Sequence, residues 1–92
     1  MHIKTVGIEY NPVKAEANKR KHGVSFLEAA TCLDDPEALA MEDDSEGEPR
    51  WILIGKSATG RLLTVVYTLR SDTPRLISAR KPTSKEAKSY AQ

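Results

Sequence analysis

The spacing of apolar and polar positions changes several times along the chain, and each change predicts an element. Residues 2–9 alternate β-branched and polar side chains imperfectly, which favours a first strand. Small and apolar side chains then recur at helical spacing between Asn11-Pro12 and Gly23. Asparagine caps free amides, proline is tolerated at the first helical position, and glycine adopts the left-handed conformation that ends many helices. The sequence therefore predicts a first helix over residues 12–22.

A second helix is predicted from the spacing of Ser25 and Glu28. They form a capping-box pattern, in which the serine oxygen accepts a hydrogen bond from one free amide and the glutamate accepts one from another. This helix should run to about Leu33, because an Asp-Asp-Pro sequence follows. Cys32 is expected to lie buried on it as a small apolar residue, and a single cysteine forms no disulfide within the chain.

The carboxy-terminal half alternates as strands do. After a short strand over residues 38–42 and an acidic loop, strands are predicted over residues 50–57, 61–70 and 75–80, joined by the short turns SATG and SDTP. A second capping box, Thr83 to Glu86, opens a final helix over residues 84–91. The order is strand, two helices, three or four strands and a helix. This predicts an α+β fold in one domain over residues 1–92, with the last three strands as an antiparallel meander.

Composition narrows the class of protein. With 92 residues, 39% hydrophobic and 29% charged, the chain is rich enough in apolar side chains for one packed core and too rich for a disordered segment. The amino terminus lacks the apolar region of a secretion signal, and no run approaches the ~18 apolar residues of a membrane span. We therefore expect a cytoplasmic protein. No spaced set of cysteines and histidines suggests zinc, so neither metal nor cofactor is implied.

Charge is distributed unevenly despite a net charge of only +1. Residues 1–33 carry five basic and three acidic side chains, residues 34–48 carry eight acidic and no basic ones, and residues 49–92 carry nine basic and two acidic ones. Such polarisation can create a strong local positive potential, although an ordinary solvated surface would also fit. The acidic segment could itself imitate nucleic acid, but Gly47 and Pro49 beside it indicate a loop instead.

Most basic side chains fall at the predicted ends of elements, where they form a positive rim. Arginine matches a phosphate with two hydrogen bonds and lysine supplies a point charge, so the rim fits a polyanion. Cleavage of RNA without a metal needs a base for the ribose 2′-hydroxyl, cations for the charged pentacoordinate state, and a proton donor for the leaving oxygen. The rim comprises Lys19, Arg20, Lys21, His22, Arg70, Arg75, Arg80 and Lys81.

Two side chains near the first helix each have two interpretations. Histidine is the side chain best suited to proton transfer near neutrality, which makes His22 a candidate, but beside Gly23 it could instead bond the last helix carbonyls. Tyr10 could stack on an unpaired base, or pack back on the first helix turn around Lys14. Phe26 and Trp51 are assigned to the core. Tyr67 is expected there too, on the strand face that it shares with Leu63 and Leu69.

Three stretches of the sequence carry a family resemblance: IEYNPVKAEANKRKHGVSFLEAATCLDDPEAL, RWILIGKSATGRLLTVVYTLR and RLISARKPTSKEAKSYAQ. Their most specific motifs are Asn18-x-x-Lys21-His22-Gly23, Gly55-x-Ser57 with Gly60-Arg61, and Ile77-Ser78-Ala79-Arg80-Lys81. Over roughly residues 8–90 the chain resembles the BrnT family of bacterial type II toxins. The resemblance implies a RelE-like fold with a small antiparallel sheet, and a metal-independent ribonuclease that arrests translation and growth.

The same resemblance implies partners and site residues. A BrnA-like antitoxin would neutralise the toxin, with two toxins and two antitoxins in a heterotetramer, and operator DNA would be reached only through the antitoxin. At the matching positions, catalysis would fall to Lys21, His22, Arg70 and Arg80, and RNA binding to Lys81. The positive rim and the stacking interpretation add Arg75 and Tyr10 as RNA-binding residues. The chain departs from the family's pattern in having Tyr10 where tryptophan is common and Pro82 where alanine is common. The residues alone leave one alternative, a non-catalytic module that binds RNA or protein through the same rim.

Overall fold

The computed structural model describes residues 7–44 and 47–92. Three helices and four strands are present in them. They are α1 (Pro12–His22), α2 (Phe26–Thr31) with a 3-10 turn over Cys32–Asp34, β1 (Leu39–Asp43), β2 (Arg50–Lys56), β3 (Leu62–Arg70), β4 (Thr73–Arg80) and α3 (Ser84–Ala91). The strands form one antiparallel sheet in the order β1-β2-β3-β4. This confirms the α+β fold and the predicted meander.

The strand predicted over residues 2–9 lies mostly outside the described residues. Its last residue, Glu9, forms an isolated parallel bridge with Arg75 of β4. The Glu9 amide donates to the Pro74 carbonyl over 2.9 Å, and the Leu76 amide donates to the Glu9 carbonyl over 2.9 Å. The chain therefore runs along the outer edge of β4 just before it enters α1.

The ends of α1 follow the sequence prediction. The Asn11 side chain accepts from the amides of Val13 at 2.8 Å and Lys14 at 3.3 Å. At the other end Gly23 adopts φ 71°, and its amide donates to the Lys19 carbonyl over 2.8 Å. Because a side chain is strained at this φ, glycine suits the position.

The capping box predicted for α2 is only half formed, so that part of the prediction is wrong. Ser25 accepts from the Glu28 amide at 3.1 Å, as expected. The Glu28 carboxylate does not return to the helix start, because Arg61 holds it at 2.7 Å and the hydroxyls of Ser57 and Thr59 donate to it at 2.9 Å each. A guanidinium is a stronger partner for a carboxylate than a backbone amide is. In α3, by contrast, the box of Thr83 and Glu86 is complete.

The last hairpin is tighter than the sequence indicated. β4 begins at Thr73, which pairs directly with Arg70, so only Ser71 and Asp72 form the turn. Their φ angles are 50° and 69°. Two consecutive positive φ values are the signature of a type I′ turn, whose twist matches that of the flanking strands. The tight turn sets the register of β3 against β4 from Arg70 to Tyr67, and a bulge between Tyr67 and Val66 shifts the remaining pairs by one residue.

The core lies on one face of the sheet, between the strands and the first two helices. Phe26 and Ala29 of α2 pack with Leu63 and Val65 of β3, and all four are nearly inaccessible to solvent. Tyr67 is buried with them, as predicted, while Leu69 is 49% exposed near the hairpin. Trp51 is half-buried at the edge of this core.

α3 lies on the opposite face of the sheet, where Glu86 accepts a hydrogen bond from the Thr64 hydroxyl over 3.0 Å. None of the described helices has the length and apolar content needed to cross a membrane.

Cys32 lies in this core, fully buried. Its pKa is raised to about 12, mainly because the thiol is buried and secondarily because the carboxylates of Glu28 and Asp35 are near. The thiolate is the reactive form of cysteine, so the thiol should be inert in the folded protein. We expect no reaction with a thiol reagent at pH 8 in native buffer and full reaction in denaturant. Rapid modification of the native protein would contradict the burial of this side chain.

Candidate RNA-binding surface

Four arginines share the sheet face that points away from the core. Arg80 pairs with Thr64, Arg75 with Thr68, and Arg70 with Thr73. Side chains alternate between faces along a strand, so the even-numbered residues of β3 lie opposite the buried Leu63, Val65 and Tyr67. Arg50 follows by the same argument, because its neighbour Trp51 pairs with Tyr67 on the core side. We call this surface, formed by Arg50, Arg70, Arg75 and Arg80, the arginine face.

The arginine face divides into two parts. Arg70 and Arg75 are diagonal neighbours across β3 and β4, about 7–8 Å apart, and Arg50 lies on the other side of Thr68. Arg80 lies opposite Thr64, six residues along β3 from Arg70, which corresponds to about 20 Å. Arg70 and Arg80, both predicted to be catalytic, are therefore too far apart to hold one phosphate. They can bind separate groups along an extended polyanion.

Arg80 is held in place by α3. Its two terminal nitrogens donate to the two Glu86 oxygens over 2.8 Å and 3.0 Å, and Nη1 also donates to the Lys81 carbonyl over 3.2 Å. The hydrogen bonds to the Glu86 carboxylate raise the pKa of Arg80. A guanidinium has five N–H donors, so Nε and one Nη2 hydrogen remain available to a ligand. Glu86 thus orients Arg80 without using all of its donors.

The pairing makes Glu86 sensitive to acid. The hydrogen bond from Arg80 is the main cause that lowers the Glu86 pKa to about 2, opposed by burial and assisted by Thr83 and Thr64. The folded-state pKa is depressed, so this stabilisation is present above the usual value of 4.5 and is lost as pH falls toward 2. We expect Glu86→Gln to lower the free energy of unfolding at pH 7 by about 2 kcal/mol, and by much less at pH 2. Urea unfolding at both pH values measures this difference, and an equal loss at both would contradict it.

Lys21 and His22 lie at the end of α1, beside the β4 edge of the arginine face. With Asn18, they line a shallow cleft of about 280 Å³ that Ile77 and Ser78 complete. Ser78 pairs with Val66 on the arginine face, two residues from Arg80. No hydrogen bond joins the imidazole to the last carbonyls of α1 in the described part of the chain, where Gly23 provides the cap. The structure therefore brings Lys21 and His22 near the Arg80 end of the face.

The other predicted RNA-binding residues are placed differently. Tyr10 is half-buried and packs edge-on against Phe26, with ring centroids 5.8 Å apart, on the core side of the sheet. It therefore lies on the other side of the sheet from the arginine face. Arg75 lies 3.6 Å from the Glu9 carboxylate, a loose and partly exposed pair. Lys81 is exposed directly after β4.

Asn18 is a structural residue that sequence reasoning overlooked. Its side-chain amide donates to the carbonyls of Val24 at 3.0 Å and Ala79 at 2.9 Å, and its oxygen accepts from the Ala79 amide at 3.1 Å. It thus joins α1 to the outer edge of β4. Asparagine is unfavourable within a helix, and its position there was the available signal.

Arg50 is the functional candidate that the sequence prediction missed. It starts β2 directly opposite Asp43, and its Nε is buried without a hydrogen-bond partner in the described residues. Its place at the start of a strand, like those of the other arginines at strand ends, was the signal.

The motif around Gly55 has a structural explanation, since an added Cβ there would lie 3.1 Å from the Cys32 carbonyl oxygen. In the described part of the chain, no group of three acidic, histidine or cysteine side chains is arranged to hold a metal ion.

The chain is similar to one family of known proteins. A family model described as the ribonuclease toxin BrnT of a type II toxin-antitoxin system matches residues 10–86. Among solved structures, the chain is similar to the ribonuclease toxin BrnT of Brucella abortus, with 21% sequence identity and a TM-score of 0.65. That likeness covers 84% of this chain and 96% of the other, and at this identity it shows a shared fold. A comparison with curated proteins found no match.

Proposed function

Because the chain belongs to the BrnT family of ribonuclease toxins of type II toxin-antitoxin systems, we propose that it cleaves RNA on the arginine face without a metal ion. The observation that carries this proposal is the alignment of four arginines on the one sheet face that the first two helices leave open. Guanidinium groups spaced along a strand direction suit the successive phosphates of a single RNA strand.

The Arg80 end is the proposed reaction centre. Arg80 is fixed by Glu86 and keeps donors free, so it can stabilise the charge that develops on the phosphorus oxygens. Lys21 and His22 lie across Ser78 from it, where one of them can take the proton of the 2′-hydroxyl and assist its attack on the phosphorus. The bond to the 5′-oxygen then breaks, leaving a 2′,3′-cyclic phosphate, and the other of these two side chains gives a proton to the leaving 5′-oxygen.

The other arginines are proposed to hold the RNA on either side of that centre. Arg75 lies about 13 Å from Arg80, four residue steps along β3, and Arg70 lies farther along the same face. Arg50 extends this part of the face toward β1. Lys81 adds charge after β4. Tyr10, half-buried against Phe26, is proposed to contact a flanking base with the accessible part of its ring.

A toxin of this family has an antitoxin partner. We propose that the partner is BrnA-like, that two toxins and two antitoxins form a heterotetramer, and that operator DNA is bound only through the antitoxin. We also propose that the toxin acts in the cytoplasm, where its RNA substrate is found.

Incubation of the purified chain with RNA in EDTA tests the proposed reaction. We expect cleavage with products that end in 2′,3′-cyclic phosphate, and none of an RNA whose 2′-hydroxyls are methylated, because the internal nucleophile is then blocked. Cleavage of the methylated RNA, or activity that EDTA abolishes, would contradict the metal-free mechanism. Binding without cleavage, with ribosomes present as well as absent, would favour the binding-module alternative.

A further inference from the structure

The two edges of the sheet differ. At the β4 edge, Asn18 binds both backbone polar groups of Ala79, and the chain around Glu9 pairs with Pro74 and Leu76. The β1 edge has no such cover among the described residues, and four of its five residues are exposed. An open edge is a template for pairing with another extended chain.

The backbone groups that point outward from β1 follow from the pairing of β2. The Ser57 amide donates to the Arg61 carbonyl beside β3, whereas the Lys56 amide donates to Asp35 on the β1 side. Hydrogen-bonding direction alternates along an antiparallel strand, so Ile52 and Ile54 bond toward β1.

The β1 partners of these two isoleucines are Met41 and Leu39, whose N–H and C=O groups therefore point into the sheet. Ala40 lies between these two residues and Glu42 follows Met41. The N–H and C=O groups of Ala40 and Glu42 point to the open side of β1. The free edge thus offers two donor and acceptor pairs, spaced as one added antiparallel or parallel strand requires.

The side chains of β1 and its neighbours determine which kind of segment can pair with this edge. Leu39 and Met41 are 38% and 47% exposed and lie side by side on the arginine-face side of β1. Glu42 lies on the opposite side, and the exposed Glu37 and Asp44 flank the strand in the sequence, with the exposed Glu48 just before β2. A second copy of β1 would bring these carboxylates against their own counterparts, which is unfavourable. A basic segment would complement them.

We propose that the β1 edge binds an extended segment of the antitoxin as a fifth strand, in which apolar residues beside Leu39 and Met41 alternate with basic residues beside Glu42. The proposal rests on the toxin-antitoxin assignment and is independent of which residues cleave RNA. Backbone hydrogen bonds would supply affinity and the alternating side chains specificity, as in other cases of strand addition.

Hydrogen exchange gives a direct test. The probe is the polypeptide encoded in the reading frame beside the toxin gene, bound to the full-length toxin. We expect the amides of Ala40 and Glu42 to exchange fast in free toxin and to become protected at least 10-fold in the complex. The Met41 amide, which bonds to β2, should be protected in both. Formation of the complex without protection at Ala40 and Glu42 would overturn the proposal.

Proline substitution tests the same edge through affinity. Ala40→Pro removes an outward donor, which edge strands tolerate, whereas Ala40→Thr keeps it and suits a strand. We expect Ala40→Pro to weaken antitoxin binding about 10-fold or more, the factor that corresponds to one lost hydrogen bond, and Ala40→Thr to change it little. Both should cleave RNA like wild type and melt within about 3 °C of it.

The outcomes separate the two proposals. Wild-type affinity in an Ala40→Pro variant that still cleaves RNA would overturn strand addition and leave the ribonuclease proposal intact. If the adjoining polypeptide neither binds the toxin nor inhibits it, the partner and strand-addition proposals fail together. RNA cleavage by the free toxin is measured separately in each case.

Discussion

Arg80→Ala is expected to cleave RNA about 100- to 1,000-fold more slowly than wild type, the usual cost of removing a placed donor to a developing negative charge. The guanidinium is positioned by both Glu86 oxygens, so Arg80→Lys, which keeps the charge but not the planar fork, should recover little of the rate. Single-turnover cleavage of a labelled RNA measures both variants.

The matched control is Lys85→Ala, which removes one positive charge from an exposed position on α3. It should cleave RNA within about twofold of wild type, because an exposed charge outside the face contributes only general attraction. A loss as large as that of Arg80→Ala would mean that net charge governs the rate. Full activity of a correctly folded Arg80→Ala variant would remove Arg80 from the reaction.

Asn18→Leu is expected to lower the free energy of unfolding by about 3 kcal/mol or more. The substitution leaves the amide and carbonyl of Ala79 and the carbonyl of Val24 without partners in a buried site, and each such group costs about 1–3 kcal/mol. Small domains are typically stable by only about 5–15 kcal/mol, so this loss would be a large fraction of the total. Urea unfolding followed by circular dichroism gives the value.

Two further variants show whether the hydrogen bonds of Asn18 are responsible. Asn18→Asp keeps the acceptor for the Ala79 amide but loses both donors, so it should also destabilise the fold strongly. Glu16→Ala removes an exposed side chain from the same helix and should change stability by less than about 0.5 kcal/mol. If Asn18→Leu unfolds like Glu16→Ala, the link between α1 and β4 contributes little to stability.

Local signals predicted most of the elements. Asn11, Gly23 and Thr83 lie at helix ends because their side chains or backbone freedom satisfy the free groups of a terminus, and this chemistry is visible in the sequence. The interactions that sequence analysis missed join distant residues. Asn18 meets Ala79 across 61 positions, and Glu28 meets Arg61 across 33. Local spacing cannot reveal such pairs, so Glu28 was assigned to its own helix.

The candidate site could be predicted only in outline. Basic residues at element ends indicated a positive rim, but the rim becomes a surface only through the register of β3 and β4. That register puts Arg75 beside Arg70 and separates Arg70 from Arg80, whereas the pairing of β2 with β3 adds Arg50. The tight turn at Ser71 and Asp72 sets the first part of the register of β3 and β4, where the sequence indicated a longer turn. A bulge between Val66 and Tyr67 then shifts the pairing by one residue, which keeps Arg80 on the same face as Arg75. The ring of Tyr10 was equally suited to a base or to the core, and its contact with Phe26 depends on where α2 packs.

The most direct test of the arginine face is an NMR titration of the arginine Nε–H signals with a single-stranded RNA whose 2′-hydroxyls are methylated to prevent cleavage. The chain has six arginines, of which Arg20 on α1 and Arg61, bound to Glu28, serve as internal controls. We predict that the signals of Arg75 and Arg80 move most, with smaller changes at Arg50 and Arg70, and that the two controls stay in place. Movement of the Arg20 signal with those of Arg75 and Arg80 unchanged would contradict RNA binding on the arginine face, because the RNA would then lie against α1 and not against the sheet.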